Sequence, residues 1–146
     1  DGLHLPEDSL AIRDARPITP SHLLVGKSVH DLAGTSLAAS EGPDYLVLGT
    51  IFPSSSKPKA RTGGPDHVAN ATRLVNAPVL AIGGIYPHRV ASVVEAGAQG
   101  IAIVSAILGA QDPEKAAREL KQSMIAAWEA RKGLTSSASS GQALHT

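Results

Sequence analysis

Along the chain, short apolar runs alternate with longer stretches whose apolar positions recur at helical spacing. "GLHL" (Gly2–Leu5) reads as a strand. "LAIRDAR" (Leu10–Arg16) fits a helix, with Ser9 in N-cap position. The next strand falls on Leu23–Val29, and the next helix on "DLAGTSLAASEG" (Asp31–Gly42), closed by glycine. "YLVLGTIF" (Tyr45–Phe52) is a continuous run of the kind found in buried parallel strands. Pro53–Pro65 is a long polar loop with prolines and glycines. The pattern then gives a helix over Asp66–Val75, a strand over Val79–Ile82 and a helix over Pro87–Ala98, with Pro87 suited to a first turn. A strand over Gly100–Val104 follows, then a tight turn. Asp112–Arg131 closes as an amphipathic helix, with Asp112 as N-cap and Ala117, Leu120 and Met124 on one face. After residue 132 the pattern stops, and residues 133–146 are expected to be disordered.

Strands alternating with helices predict parallel βα units with both sheet faces covered. Five strands are expected, adjacent in chain order. A complete eight-unit barrel takes roughly 200–250 residues. At 146 residues this chain falls short by about three units. Residues 1–132 therefore read either as a small open sheet or as the C-terminal portion of a single barrel domain. A formal net charge of zero argues against nucleic acid or an anionic membrane as partner. No cysteine is present, which excludes a disulfide framework and suits a cytoplasmic enzyme. No apolar stretch approaches the ~20 residues that span a bilayer, and no secretory leader is expected.

The chemistry begins where a strand runs into two glycines, "VLAIGGI" (Val79–Ile85). Gly83 and Gly84 would serve either to shape a tight turn or to let an anion approach bare backbone N–H groups. The next loop, at Val104 and Ser105, opens the short helical stretch "SAILGA". Loops after the last two strands of a barrel, together with the N-terminus of a short helix, commonly bind phosphate. The pair of loops favours a phosphate site over a plain turn. The long loop adds Ser54, Ser55, Ser56, Lys57, Lys59 and Arg61, hydroxyls and cations suited to a second anionic group. Its length and glycines predict a lid that orders on ligand.

"DGLHL", "GKSVH", "DYLVLGTIFPSSSKP", "LAIGGI" and "GIAIVSAI" with "DPEKAAREL" occur in an order and spacing that resemble the thiamine phosphate synthase/TenI superfamily. The resemblance runs to about residue 124. It implies a (β/α)8 TIM barrel, of which this chain carries about strands four to eight. It also implies a phosphorylated thiazole as small-molecule ligand. Two activities share that fold. The synthase joins a pyrimidine pyrophosphate to a thiazole phosphate, releases pyrophosphate and uses magnesium. The TenI-type thiazole tautomerase aromatises a carboxythiazole phosphate by proton transfer, without metal. A TenI-like protein that binds a phosphorylated ligand without turning it over is a third alternative.

Three positions bear on the choice. Where the synthase has a magnesium-binding Asp, this chain has Ser9, with Asp8 one residue early; Asp8 is the metal candidate only under the synthase reading. His30 stands where the tautomerase carries its acid/base histidine, a role that suits a side chain titrating near neutrality. Synthases also carry a histidine there without an assigned role. Ser28, Ser54, Ser56 and Lys57 match the synthase's pyrophosphate-binding positions and do not separate the two. The sequence reading favours the tautomerase, with His30 catalytic, Gly83, Gly84, Val104 and Ser105 on the phosphate, and no cofactor. Tyr86 departs from the Thr or Ser usual in the family and cannot cap the helix it precedes. His4, His22, His67, His88 and His145 are read as structural or as surface and tail residues. Trp128 is assigned to helix packing or to a contact in a homo-oligomer.

Overall fold

Why each helix falls on the same side of the sheet follows from connectivity. The five strands are β1 (Gly2–Leu5), β2 (Leu24–Val29), β3 (Tyr45–Leu48), β4 (Val79–Ile82) and β5 (Gly100–Ala102). They pair in parallel in the order β1-β2-β3-β4-β5. Sequential parallel strands joined by right-handed crossovers place every connecting helix on one face. The computed structural model describes residues 1–54 and 57–140, with the backbone alone for 134–140. Six helices are described: α1 (Ile12–Ala15, followed by a 3-10 turn at Arg16–Ile18), α2 (Leu32–Ser40), α3 (Gly64–Thr72), α4 (Pro87–Glu95), α5 (Ser105–Leu108) and α6 (Pro113–Ser140).

Burial alternates strictly along β3 and β4. Leu46, Leu48, Val79 and Ala81 are sealed, while their neighbours stay part-exposed. The expectation of strands covered on both faces is thus corrected: the helices close one face and the other is open. An arc of five strands has an inner face that only the rest of a barrel would enclose. The main core joins Leu46, Leu48, Val68, Val90, Val93 and Leu120 across β3, β4, α3, α4 and α6. A smaller cluster of Leu5, Ile12, Ala15 and Val25 closes the β1 end.

Two polar side chains satisfy strand entrances in the same way. Asp44, just before β3, accepts from the Val25 N–H of β2 at 2.6 Å, and Gln99, just before β5, accepts from the Val79 N–H of β4 at 2.9 Å. Arg16 pairs with the same Asp44 carboxylate at 2.8 Å. The Arg16 hydrogen bond, then the Val25 N–H, hold the Asp44 carboxyl below the usual carboxylate range against a small opposing effect of burial.

Several local expectations need revision. Ser9 does not cap α1; its hydroxyl donates to the Pro6 carbonyl at 2.6 Å, inside a turn. The Ile12 N–H at the start of α1 instead donates to Glu41 at 2.8 Å. A carboxylate from the end of α2 thus replaces the local cap. Tyr86 makes no side-chain cap at α4, as its chemistry requires. Asp112 does accept from the Lys115 N–H, at 2.9 Å. The last helix continues past Arg131 to Ser140 where a patternless segment was expected. Extending a formed helix fixes one residue per added hydrogen bond, so it survives in sequence too polar to nucleate one. Residues 141–146 lie outside the described residues.

Candidate functional site

The C-terminal ends of the strands converge on a cavity of about 250 Å³. Its lining includes His30, Thr50, Ser54, Lys57, Gly83, Gly84, Val104, Ser105 and Ala106. Seven of the residues singled out in the sequence therefore meet in one place. Ser28 and Asp8 are not among those lining it, and Ser56 lies outside the described residues.

The β4 loop is fixed by backbone geometry. Gly83 and Gly84 adopt φ of 101° and 61°, the left-handed region that penalises a side chain. A Cβ on Gly84 would overlap the Phe52 and Pro53 carbonyls, and one on Gly83 would press on Thr50. These glycines make the turn, and they line the cavity. Beyond the end of β3, the Ile51 N–H donates to the Ile82 carbonyl and the Phe52 N–H to the Gly83 carbonyl, each at 3.0 Å. Pairing thus continues almost to the Phe52 end read from sequence. Arg89 clamps the turn from α4: it donates to the Gly84 carbonyl at 2.7 Å and lies 4.8 Å over the Phe52 ring.

On the opposite wall, Val104 is the N-cap of α5 and Ser105 its first residue. The first N–H groups of any helix lack an intrahelical acceptor, and here they border the cavity. The long loop is closed at its base, where the Gly63 and Gly64 N–H groups donate to the Thr50 and Ile51 carbonyls at 3.3 and 2.9 Å. Lys57 faces two spaces at once. It lines the cavity and also an adjoining hollow of about 440 Å³ with Asp31, Arg61 and His67.

His30 is gripped on all sides but one. Glu7 accepts from the His30 backbone N–H at 3.0 Å and bonds ring Nδ1 at 2.7 Å. A carboxylate only accepts, so the proton of that bond belongs to Nδ1. His67 Nε2 donates to the His30 carbonyl at 3.1 Å. Nε2 of His30 is left as the ring atom able to exchange a proton. Neither Glu7 nor His67 was singled out in the sequence. Glu7 sits 23 residues from its partner in a turn with no periodic pattern. The one usable signal was a glutamate in the loop beside a strand end already bearing a candidate histidine.

Asp8 is exposed in the turn after β1. Among the described residues, no group of three or more His, Asp or Glu side chains is placed to hold a metal ion. The nearest carboxylate on that loop, Glu7, is engaged by His30. A magnesium ion takes one or two carboxylates together with substrate phosphates, and Asp8 is the candidate carboxylate on this chain.

Known proteins resemble this arrangement closely. The family model described as thiamine monophosphate synthase matches residues 1–107. The thiamine-phosphate synthase of Methanoculleus marisnigri is 41% identical over 128 residues, covering 87% of this chain and 61% of that protein. That of Pyrococcus furiosus is 38% identical over 122 residues, covering 84% and 58%. A solved thiamine phosphate pyrophosphorylase from Pyrococcus furiosus superposes with a TM-score of 0.78 at 35% identity, covering 87% of this chain and 60% of that one. A 3-hexulose-6-phosphate synthase at 20% identity and TM-score 0.66 shares the fold alone. The chain spans about three-fifths of the length of these synthase relatives. The five-stranded sheet is accordingly a portion of a TIM-barrel-like fold. The relatives carry the synthase name, which favours the alternative reading of the sequence over the tautomerase. With that family model matching residues 1–107 of the 146, the chain belongs to the thiamine monophosphate synthase family.

Proposed function

We propose that this chain forms the phosphate-anchoring portion of a thiamine phosphate synthase. The observation that carries the reading is the single cavity into which Gly83, Gly84, Val104, Ser105, Ser54 and Lys57 converge. The thiazole phosphate sits between the β4 glycine turn and the start of α5, held by backbone N–H groups that need no charge of their own. Ser54 and Lys57 face the pyrophosphate of the second substrate, with Ser28 supplying a further hydroxyl. Bond formation joins the thiazole nitrogen to the pyrimidine methylene carbon as the carbon–oxygen bond to pyrophosphate breaks. Lys57 then offsets charge that develops on the leaving group. Magnesium, which the family implies, would neutralise charge on the pyrophosphate when bound, and Asp8 is the residue of this chain that would help to hold it.

A second reading rests on a different observation. The Glu7–His30 pair leaves one ring nitrogen to exchange protons beside the phosphate cradle. That is the equipment of a thiazole tautomerase, which requires proton transfer and no second substrate.

The deciding assay uses full-length protein with thiazole phosphate and hydroxymethylpyrimidine pyrophosphate. Release of pyrophosphate with formation of thiamine phosphate supports the synthase. Aromatisation of a carboxythiazole phosphate, insensitive to EDTA and without the pyrimidine, assigns it to the tautomerase instead.

A further inference from the structure

On the open face of the sheet, away from the cavity lining, three polar side chains from three strands form a continuous hydrogen-bonded line. His4 of β1 bonds the Ser28 hydroxyl of β2 through Nε2 at 2.9 Å. Its Nδ1 meets the Tyr45 hydroxyl of β3 at 3.2 Å. The Tyr45 and His4 rings also stack, with centroids 5.7 Å apart and planes at 21°. The register makes this arrangement possible. His4 is paired with Gly26 and Gly26 with Tyr45, so the tyrosine ring reaches across the strand between them. A Cβ at Gly26 would occupy the space of the Tyr45 ring. Glycine in the middle of a strand weakens it, and here the gap it leaves is filled by the ring that meets His4.

We infer that Tyr45 and His4 are positioning residues that aim the Ser28 hydroxyl proton outward, toward an anionic oxygen of a bound pyrophosphate. The direction follows from donor strength. A phenol donates better than a neutral imidazole N–H, and a bare imidazole nitrogen accepts better than a phenol oxygen. Tyr45 therefore donates to Nδ1, which leaves the ring proton on Nε2. Nε2–H donates to Ser28 Oγ, and the serine's own proton is free for an outside acceptor. A protonated His4 has the same effect at Ser28, since both ring nitrogens then donate. Only the Nδ1–H tautomer would reverse the line and turn the Ser28 proton inward. Ser28 lies two residues before His30 along the same strand direction, hence on the same face. Ser28's ligand is taken from the synthase reading above; the role of His4 and Tyr45 is the new element.

The test uses full-length protein and inorganic pyrophosphate, without added metal, titrated by calorimetry. A two-bond proton–nitrogen NMR spectrum of the histidine rings reads the tautomer directly, with His4→Gln identifying the His4 signals. His4 is expected to carry its proton on Nε2. Ser28→Ala and His4→Leu should each weaken pyrophosphate binding about 10-fold, the effect of losing one hydrogen bond to a charged group. Tyr45→Phe should weaken it about 3-fold, and should have no further effect in the Ser28→Ala background. His4→Gln, whose amide can still donate to Ser28, should bind within about 2-fold of the parent protein. Melting temperatures of all variants separate a local effect from a loss of fold. An Nδ1–H tautomer, additive Tyr45 and Ser28 effects, undiminished binding in His4→Leu or no pyrophosphate binding at all would each overturn the inference. A protein that meets these expectations yet makes no thiamine phosphate would refute the synthase reading and leave the positioning role standing.

Discussion

The two ends of the sheet are built differently. Around β3 and β4 the core is deep, with α3, α4 and α6 all contributing sealed residues. There the candidate site is made of backbone: two left-handed glycines, Gly84 against the Phe52 and Pro53 carbonyls and Gly83 against Thr50, clamped by Arg89. At β1 and the start of β2 the core is the small cluster of Leu5, Ile12, Ala15 and Val25, while Val29 at the end of β2 belongs to the main core. There the candidate chemistry is carried by side chains, Glu7 on His30 and His4 on Ser28, in exposed or part-exposed settings. The difference teaches where each task can live. Anchoring a phosphate requires donors that do not move, and backbone packed on a thick core provides them. Moving or orienting a proton requires titratable side chains, and these tolerate a thinner support when hydrogen bonds fix them.

Five substitutions test this contrast, taken from the largest effect downward. Gly84→Val attacks the backbone-built end. It forces a β-branched residue to φ 61° and into the Phe52 and Pro53 carbonyls. The expected cost is on the order of 4 kcal/mol, read by denaturant unfolding. Such a variant loses the fold along with ligand binding, so it cannot isolate binding from chemistry. A Gly84→Val protein of parental stability would show that the turn is not packed as described.

His30→Asn attacks the side-chain-built end and should leave stability and phosphate affinity nearly intact. Under the tautomerase reading, turnover falls about 10²–10⁴-fold. Under the synthase reading His30 is a wall of the cavity, and the change stays within about 10-fold. Steady-state rates for both reactions decide between them.

Large-to-small changes in the two cores measure the thickness directly. Leu48→Ala, in the main core, should cost about 4 kcal/mol, and Ile12→Ala, in the small cluster, about 2 kcal/mol. Both side chains are fully sealed, so exposure does not separate them. Equal costs would show that the β1 end is as firmly supported as the centre.

The smallest effect belongs to Asp44→Asn. The Arg16 hydrogen bond and the Val25 N–H lower the folded-state pKa of Asp44. Its contribution is therefore present above the unfolded carboxyl pKa and is lost as pH falls through the lower folded value. The variant should lose about 1 kcal/mol near neutral pH and converge with the parent under acid conditions. A difference that persists unchanged below the folded pKa would place the effect in packing instead.

What could be read from the sequence follows the same division. Strand positions and their order were legible because apolar runs and glycine or proline breaks are local signals. β1 and β4 match residue for residue, and β3 was read long only because its backbone bonds continue past Leu48. The glycine turn was legible for the same reason, since paired glycines after a strand mark a left-handed turn. The side-chain site was legible only by halves. His30 stood at a strand end, but Glu7, His67 and Tyr45 meet their partners across 23, 37 and 41 residues, and no local pattern encodes those contacts. The cap of α1 failed likewise, because Glu41 reaches the Ile12 N–H from 29 residues away.

The most direct measurement of the central claim is a structure of the full-length protein with thiazole phosphate bound. The phosphate is expected between Gly83–Gly84 and Val104–Ser105, on backbone N–H groups, with the thiazole ring directed toward His30 and Lys57. A phosphate seated in the neighbouring hollow by Arg61 and His67, with the glycine turn empty, would contradict it.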